Sequence, residues 1–425
     1  MFSRTLQVLQ LVTYLAFWSA ALPYSTPPPT DQIEQIRRYT RDIEFDYLRW
    51  TAAAAWIKLQ AGSAGLPHAF PPAAQTQIMN QYLQVTQQVF DNERLLEAIY
   101  ADPAIGDKES ASTALRRELA ALATRQAQLG PLAESILQEQ VSHVLVDLDL
   151  ALGGQPVPPV LYHVTPVPMA LIVSRRDRIE QLANISIEAD LTLEQEAALE
   201  SRVDRGLDLS SLVVPIGGVG VYPTMVTRST DLRWLTETIA HEWTHNFLTL
   251  RPLGALYDSS SELRTMNETA ANISGTETSL LVMSRFYPQP QPSSAARDML
   301  ITIPYDHPDP GDLPRPQFDF RLEMHETRVT TDGLLADGKI GEAEAYMESR
   351  RLLFLQHGFV LRKINQAYFA FYGAYADVPG GAAGEDPVGP AVRLLRQQSR
   401  SLSEFLNRIS WFTSFEQLQT ALSTP

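Results

Sequence analysis

Ser229-Thr230-Asp231-Leu232-Arg233-Trp234-Leu235-Thr236-Glu237-Thr238-Ile239-Ala240-His241-Glu242-Trp243-Thr244-His245 is the stretch on which the reading of this chain turns. Ser229 or Thr230 supplies an N-cap, and Asp231 an early acidic charge, for a helix running to about Leu250. Residues four apart on a helix stand one turn above each other, so the imidazoles of His241 and His245 reach one ion at about 2.0–2.1 Å. Glu242 follows the first histidine by one residue and projects beside that ion, where a base can reach an attacking water. The chain has 425 residues, no cysteine and eight histidines. Disulfides, thiol nucleophiles, iron–sulfur clusters and cysteine-type zinc fingers are therefore excluded, and any metal must be held by His, Asp or Glu.

Catalytic zinc needs three protein ligands and an open position. Downstream lies Met266-Asn267-Glu268-Thr269-Ala270-Ala271-Asn272, with Glu268 twenty-three residues after His245. That gap fits one turn of helix, a loop and the start of an antiparallel return. Glu262 and Glu277 are competing third ligands. Together these residues resemble the gluzincin metallopeptidases, the group of thermolysin-like proteases and zinc aminopeptidases, in which a second helix supplies a glutamate from an Asn-Glu pair. The resemblance covers about a sixth of the chain, residues 211–283. It implies one zinc per chain on His241, His245 and Glu268, with Glu242 as general base. The family's second-sphere Asp is here Asn272, which can accept from His241 without charge. The resemblance also makes Gly217-Gly218-Val219-Gly220 an edge strand on which extended substrate lies, with Gly218, Val219 and Gly220 in contact. The Gly-x-Met-Glu-Asn motif of the zinc aminopeptidases is missing, so endo- and exopeptidase activity are both left open.

Around this core the chain reads as α+β and mostly helical: a zincin-like catalytic core with a small sheet and two ligand helices, flanked by helical regions. Residues 30–154 are helix after helix, with breaks near 62–65, 71–72 and 102–103. A tight joint at Gly130-Pro131 makes 111–129 and 132–152 an antiparallel pair. Residues 155–287 hold the core, with strands at 160–164, 169–173 and one or two in 211–226, a polar helix at 193–205, and a second ligand helix at 260–286. A proline-rich loop or lid spans 288–317. Residues 318–425 are helical again, at 320–335, 340–357, 360–375 and 390–422. Ala336-Asp337-Gly338-Lys339 lacks the alternating oxygen ligands of a calcium loop and reads as a turn.

Lys+Arg number 34 against 49 Asp+Glu, a formal charge of −15, with no basic stripe, so nucleic acid is not a partner. A peptide or protein substrate is. Residues 1–25 read as a signal peptide or membrane anchor. Their apolar run at 6–22, about 17 residues, suits a signal h-region or a short tether. Two of three Asn-x-Ser/Thr sequons, at Asn267 and Asn272, fall on the ligand helix, where a glycan would block the site. Export by a bacterial-type route follows, with the catalytic region outside the cytoplasm. His68 and His143, isolated on helices, read as surface or core residues. For the oxyanion donor that a peptidase needs, Tyr368 is the candidate from the stripe Tyr368, Tyr372, Tyr375, a pattern otherwise typical of core. The alternative function is a non-catalytic helical envelope or binding scaffold with a vestigial or structural metal.

Overall fold

The computed structural model describes residues 31–63, 70–101, 105–288, 318–373 and 387–423. The expectations for residues 6–22, His68, 289–317 and Tyr375 lie outside the described residues. Among the described residues the chain is mostly helical with three small sheets, and no helix is long and apolar enough to cross a membrane.

Four helices lead: α1 (Gln32–Arg37), α2 (Tyr47–Ser63), α3 (Pro72–Ala101) and α4 (Lys108–Asp147). The expected joint at Gly130-Pro131 does not form, because α4 runs unbroken through Pro131. A proline inside a helix forfeits one backbone hydrogen bond. The turns that follow it offset that loss by burying Ala133, Ile136, Leu137, Val141, Val144 and Leu145 in the main core. The partner of α4 is α3. Beyond Asp147 the chain turns through Asp149 at positive φ, and β1 (Ala151–Leu152) pairs with β2 (Gln155–Pro156). Gly153 and Gly154, both at positive φ, make that hairpin.

The second sheet has β4 (Met169–Ser174) between β5 (Gln181–Ile187) and β6 (Ser210–Val214), all antiparallel. Ala170, Ile172, Leu212 and Val214 face α9 (Phe320–Ala336), α10 (Ile340–Gln356) and α11 (Gln366–Tyr372), where Met324, Met347, Phe354 and Phe369 meet them. Leu171, Val173 and Val213 face Ile36 of α1 and Leu199 and Val203 of α5 (Leu193–Leu207). Burial of both faces explains why residues 169–173 are an unbroken apolar run. Strand β5 was not among the expected strands, although Ala183, Ile185 and Ile187 are buried in strict alternation.

The third sheet positions the site. Strand β8 (Thr224–Val226) runs between β3 (Tyr162–Val164), to which it is parallel, and β7 (Gly218–Val219), to which it is antiparallel. The outer edge of β3 is closed by α4: Glu134 accepts from Val164 N at 2.8 Å and Gln138 from Tyr162 N at 3.2 Å. At the other edge β7 lies against α6 (Leu232–Thr249). Through the short α7 (Pro252–Ala255) the chain returns as α8 (Ser261–Phe286), which packs along α6. Helices α12 (Val388–Gln398), α13 (Leu402–Ile409) and α14 (Phe415–Ser423) pack on α8. The C-terminal region therefore serves two places, 320–372 covering the β4 sheet and 388–423 covering α8. The helix expected at 360–375 begins only at Gln366, because Arg362 and Lys363 are drawn to Glu200 and Asp204 on α5.

Candidate metal centre

Helix α6 is started by Asp231 itself, whose carboxylate accepts from Trp234 N at 3.1 Å, not by Ser229 or Thr230. Leu232, Leu235, Ile239, Trp243 and Phe247 then recur at helical spacing and enter the main core. Trp243 also donates to Pro158 O at 2.7 Å. The rest of the helix faces α8 and β7. Helices α6 and α8 approach closely: a Cβ on Gly275 would stand 2.8 Å from Glu237 O and 3.2 Å from His241 Cβ. The Thr244 and Ser274 hydroxyls hydrogen-bond across the gap at 2.8 Å, and Thr276 donates to Glu237 at 2.8 Å.

This contact brings His241, His245 and Glu268 together. The two Nε2 atoms are 3.0 Å apart, and Glu268 Oε2 lies 3.5 Å from that of His241 and 3.6 Å from that of His245. Ligand atoms at the corners of a tetrahedron about zinc are separated by roughly 3.3 Å at bond lengths of about 2.0–2.1 Å. The observed triangle has that size. Glu268 Oε2 is buried and takes no hydrogen bond, a state that is costly unless a cation faces it. A buried carboxylate oxygen without a hydrogen bond, two imidazole nitrogens and their spacing all fit a metal ion. Glu262, exposed in the first turn of α8, and Glu277, paired with Arg396 at 2.7 Å, stand outside this group.

Two residues to which the sequence reading gave no orienting role, Asn267 and Tyr257, make orienting contacts. His245 Nδ1 donates to Asn267 Oδ1 at 2.7 Å, while Asn267 Nδ2 donates to Leu253 O at 3.4 Å. The amide is thereby held with its oxygen toward the ring, which leaves Nε2 facing His241 and Glu268. Asn267 directly precedes Glu268 in the Asn-Glu pair, the signal from which its role could have been read. Tyr257 donates to Glu268 Oε1 at 2.5 Å, and it had no sequence signal. Asn272, expected to orient His241, is half-buried one turn beyond Glu268.

Glu242 is buried beside the triangle. Burial lifts its pKa, Glu268 adds to the rise, and the two histidines oppose it. Burial alone would depress His245, but the neighbouring charges of Glu268 and Glu242 outweigh it and push the ring up to about 9. Burial opposes the Glu268 charge too, yet the two imidazoles hold its pKa well below the usual carboxylate range. Gly218 and Gly220 lie directly on this group. A Cβ at Gly218 would be 2.8 Å from Glu242 Oε1, and one at Gly220 3.1 Å from His245 Cβ. Between them Val219 pairs with Met225 in the sheet. Tyr47, at the start of α2, is hydrogen-bonded to Ser186 Oγ at 2.6 Å. Its pKa is raised, chiefly by burial and also by the Glu242 charge.

Tyr368 is not part of this group. It sits in the cluster on β4 and β6, with its ring centroid 4.6 Å from that of Tyr372 and edge-on to Phe369. Tyr368 is core, and Tyr372 is partly buried against the same cluster. His143 stacks on Phe286, away from the metal triangle. No protein family, curated protein or solved structure matches the chain.

Proposed function

We propose that this chain is a zinc-dependent peptidase of gluzincin type, in which Glu242 is the general base. The observation that carries the reading is the triangle of His241, His245 and Glu268, whose buried Oε2 takes no hydrogen bond, with a buried carboxylate beside it. A zinc ion held there supplies Lewis acidity toward a carbonyl and toward water. Glu242 takes the proton of the attacking water and passes it to the leaving amine. Glu242 is buried beside the triangle, within reach of a water placed there. Gly218 in β7 and Gly220 just after it carry no side chain at Glu242, which suits the approach of an extended peptide backbone. The pairing of α6 with α8 beneath an edge strand supports a zincin-like core for residues 155–287. With export as the destination, and residues 6–22 as a leader or tether, the substrates are peptides or proteins outside the cytoplasm.

The test joins zinc content to cleavage of a peptide library. About one zinc per chain is expected in the parent. Glu242→Gln should keep the metal and lose on the order of 10²–10⁴-fold in cleavage rate. Cleavage that survives Glu242→Gln sinks the mechanism. Stoichiometric zinc with no cleavage by either protein leaves a structural metal in a helical scaffold.

A further inference from the structure

Glu268 meets the two histidines through one oxygen only, and the structure shows what occupies the other. The Oε2 atom stands within 3.6 Å of both Nε2 atoms and has no hydrogen bond, whereas Oε1 accepts the Tyr257 hydroxyl at 2.5 Å. Tyr257 is itself fixed on several sides. Its ring meets the His245 ring edge-on at 6.2 Å, and the Arg264 guanidinium lies 5.6 Å over it. Arg264 is held in turn by Asp258 at 3.2 Å. The linker that carries Tyr257 is tied down by Asn267 on Leu253 O, the same side chain that orients His245.

We propose that Tyr257 is a positioning residue that makes Glu268 a one-oxygen metal ligand: it engages Oε1 and leaves Oε2 alone facing the imidazoles. This rests on the reading of His241, His245 and Glu268 as a metal site. A carboxylate free at both oxygens can chelate a cation with both, which adds a coordination position and fills the one that a catalytic site keeps open. Tyr257 thus protects the open position without touching it. It acts through Glu268 and is not itself a catalytic residue.

Co2+ reports the coordination number without any turnover, since four-coordinate Co2+ absorbs visible light far more strongly than five- or six-coordinate Co2+. The wild-type chain loaded with Co2+ should show the intense four-coordinate spectrum. Tyr257→Phe keeps the ring packed on His245 and removes only the hydroxyl. It should still bind one Co2+, with a weaker visible spectrum. Its zinc affinity, read by competition with a chromophoric chelator, should fall on the order of 10–100-fold. A purely structural tyrosine would lower the melting temperature of the metal-free protein and leave the spectrum unchanged, which overturns the proposal. A weak, high-coordination spectrum in the wild type overturns it too, whether or not the variant folds. Glu268→Ala separates the two levels. If it abolishes Co2+ binding while Tyr257→Phe matches wild type in spectrum and affinity, the metal site stands and the role of Tyr257 falls. No Co2+ bound by the wild type overturns both.

Discussion

His245 is the residue on which proton and metal compete. In the metal-free protein its pKa is pushed up from an ordinary 6.5 to about 9, because the Glu268 and Glu242 charges outweigh the cost of burial. A proton on Nε2 must leave before that nitrogen can bind a cation. Zinc affinity should therefore rise with pH up to about 9 and level off above it, with net proton release near pH 7.5. Calorimetry in two buffers of different ionisation enthalpy checks this, and equal apparent enthalpies in both would contradict it. The sign for folding is opposite. A pKa raised by folding stabilises the metal-free chain most below 6.5 and is lost as pH rises through about 9. The protection against unfolding that zinc confers should accordingly grow from pH 6 to pH 9.

At the scale of elements, the site is a product of how closely α6 and α8 pack. Gly275 sets that distance, since its missing Cβ would fall 2.8 Å from the Glu237 carbonyl, a backbone atom that cannot swing aside. Gly275→Ala should push the helices apart, at a cost of about 1–3 kcal/mol in denaturant unfolding, and weaken zinc binding as Glu268 withdraws. Unchanged stability together with unchanged zinc affinity would show that the helices relax without moving the ligands. Gly218 differs from Gly275, because its nearest neighbour would be the end of the Glu242 side chain. Gly218→Ala should spare stability and lower cleavage, measured as kcat/KM on a peptide substrate. Equal kcat/KM would remove β7 from the substrate path.

Across the whole molecule, a buried ion pair ties the N-terminal helices to the sheet that carries β7. Lys58 of α2 and Glu134 of α4 pair with side chains only 3% and 4% exposed. Glu134 also accepts from Val164 N and lies 3.0 Å from His163 Nδ1. Burial works against the charge of Glu134, yet Lys58 and His163 hold its pKa below the ordinary value. That contribution is complete above pH 4.5 and is lost as pH falls through the lower folded-state value. Lys58→Met leaves the carboxylate buried without its main partner. It should cost about 3–5 kcal/mol and move acid unfolding to higher pH, both readable by circular dichroism. An unaltered acid limb would mean that His163 suffices.

Local chemistry made much of this chain legible. The run Ser229-Thr230-Asp231 announces a helix start, because short oxygen-bearing side chains accept otherwise orphaned N–H groups, although the cap itself falls to Asp231 and not to Ser229 or Thr230. The spacing of His241 and His245 puts both rings on one face wherever the helix sits. The unbroken apolar run 169–173 announces a strand. These features depend on neighbours a few residues away. What the tertiary structure decided depends on groups distant in sequence. Pro131 reads as a break, and only the core packed against the turns after it keeps α4 whole. Tyr368 reads as a donor or as core, and only the β4 sheet beneath it makes it core. Tyr257 carries no pattern of its own and becomes a partner of Glu268 only when α8 folds back along α6. Periodicity and capping are properties of one segment, whereas a ligand's orientation is set by whichever surface its helix is packed against.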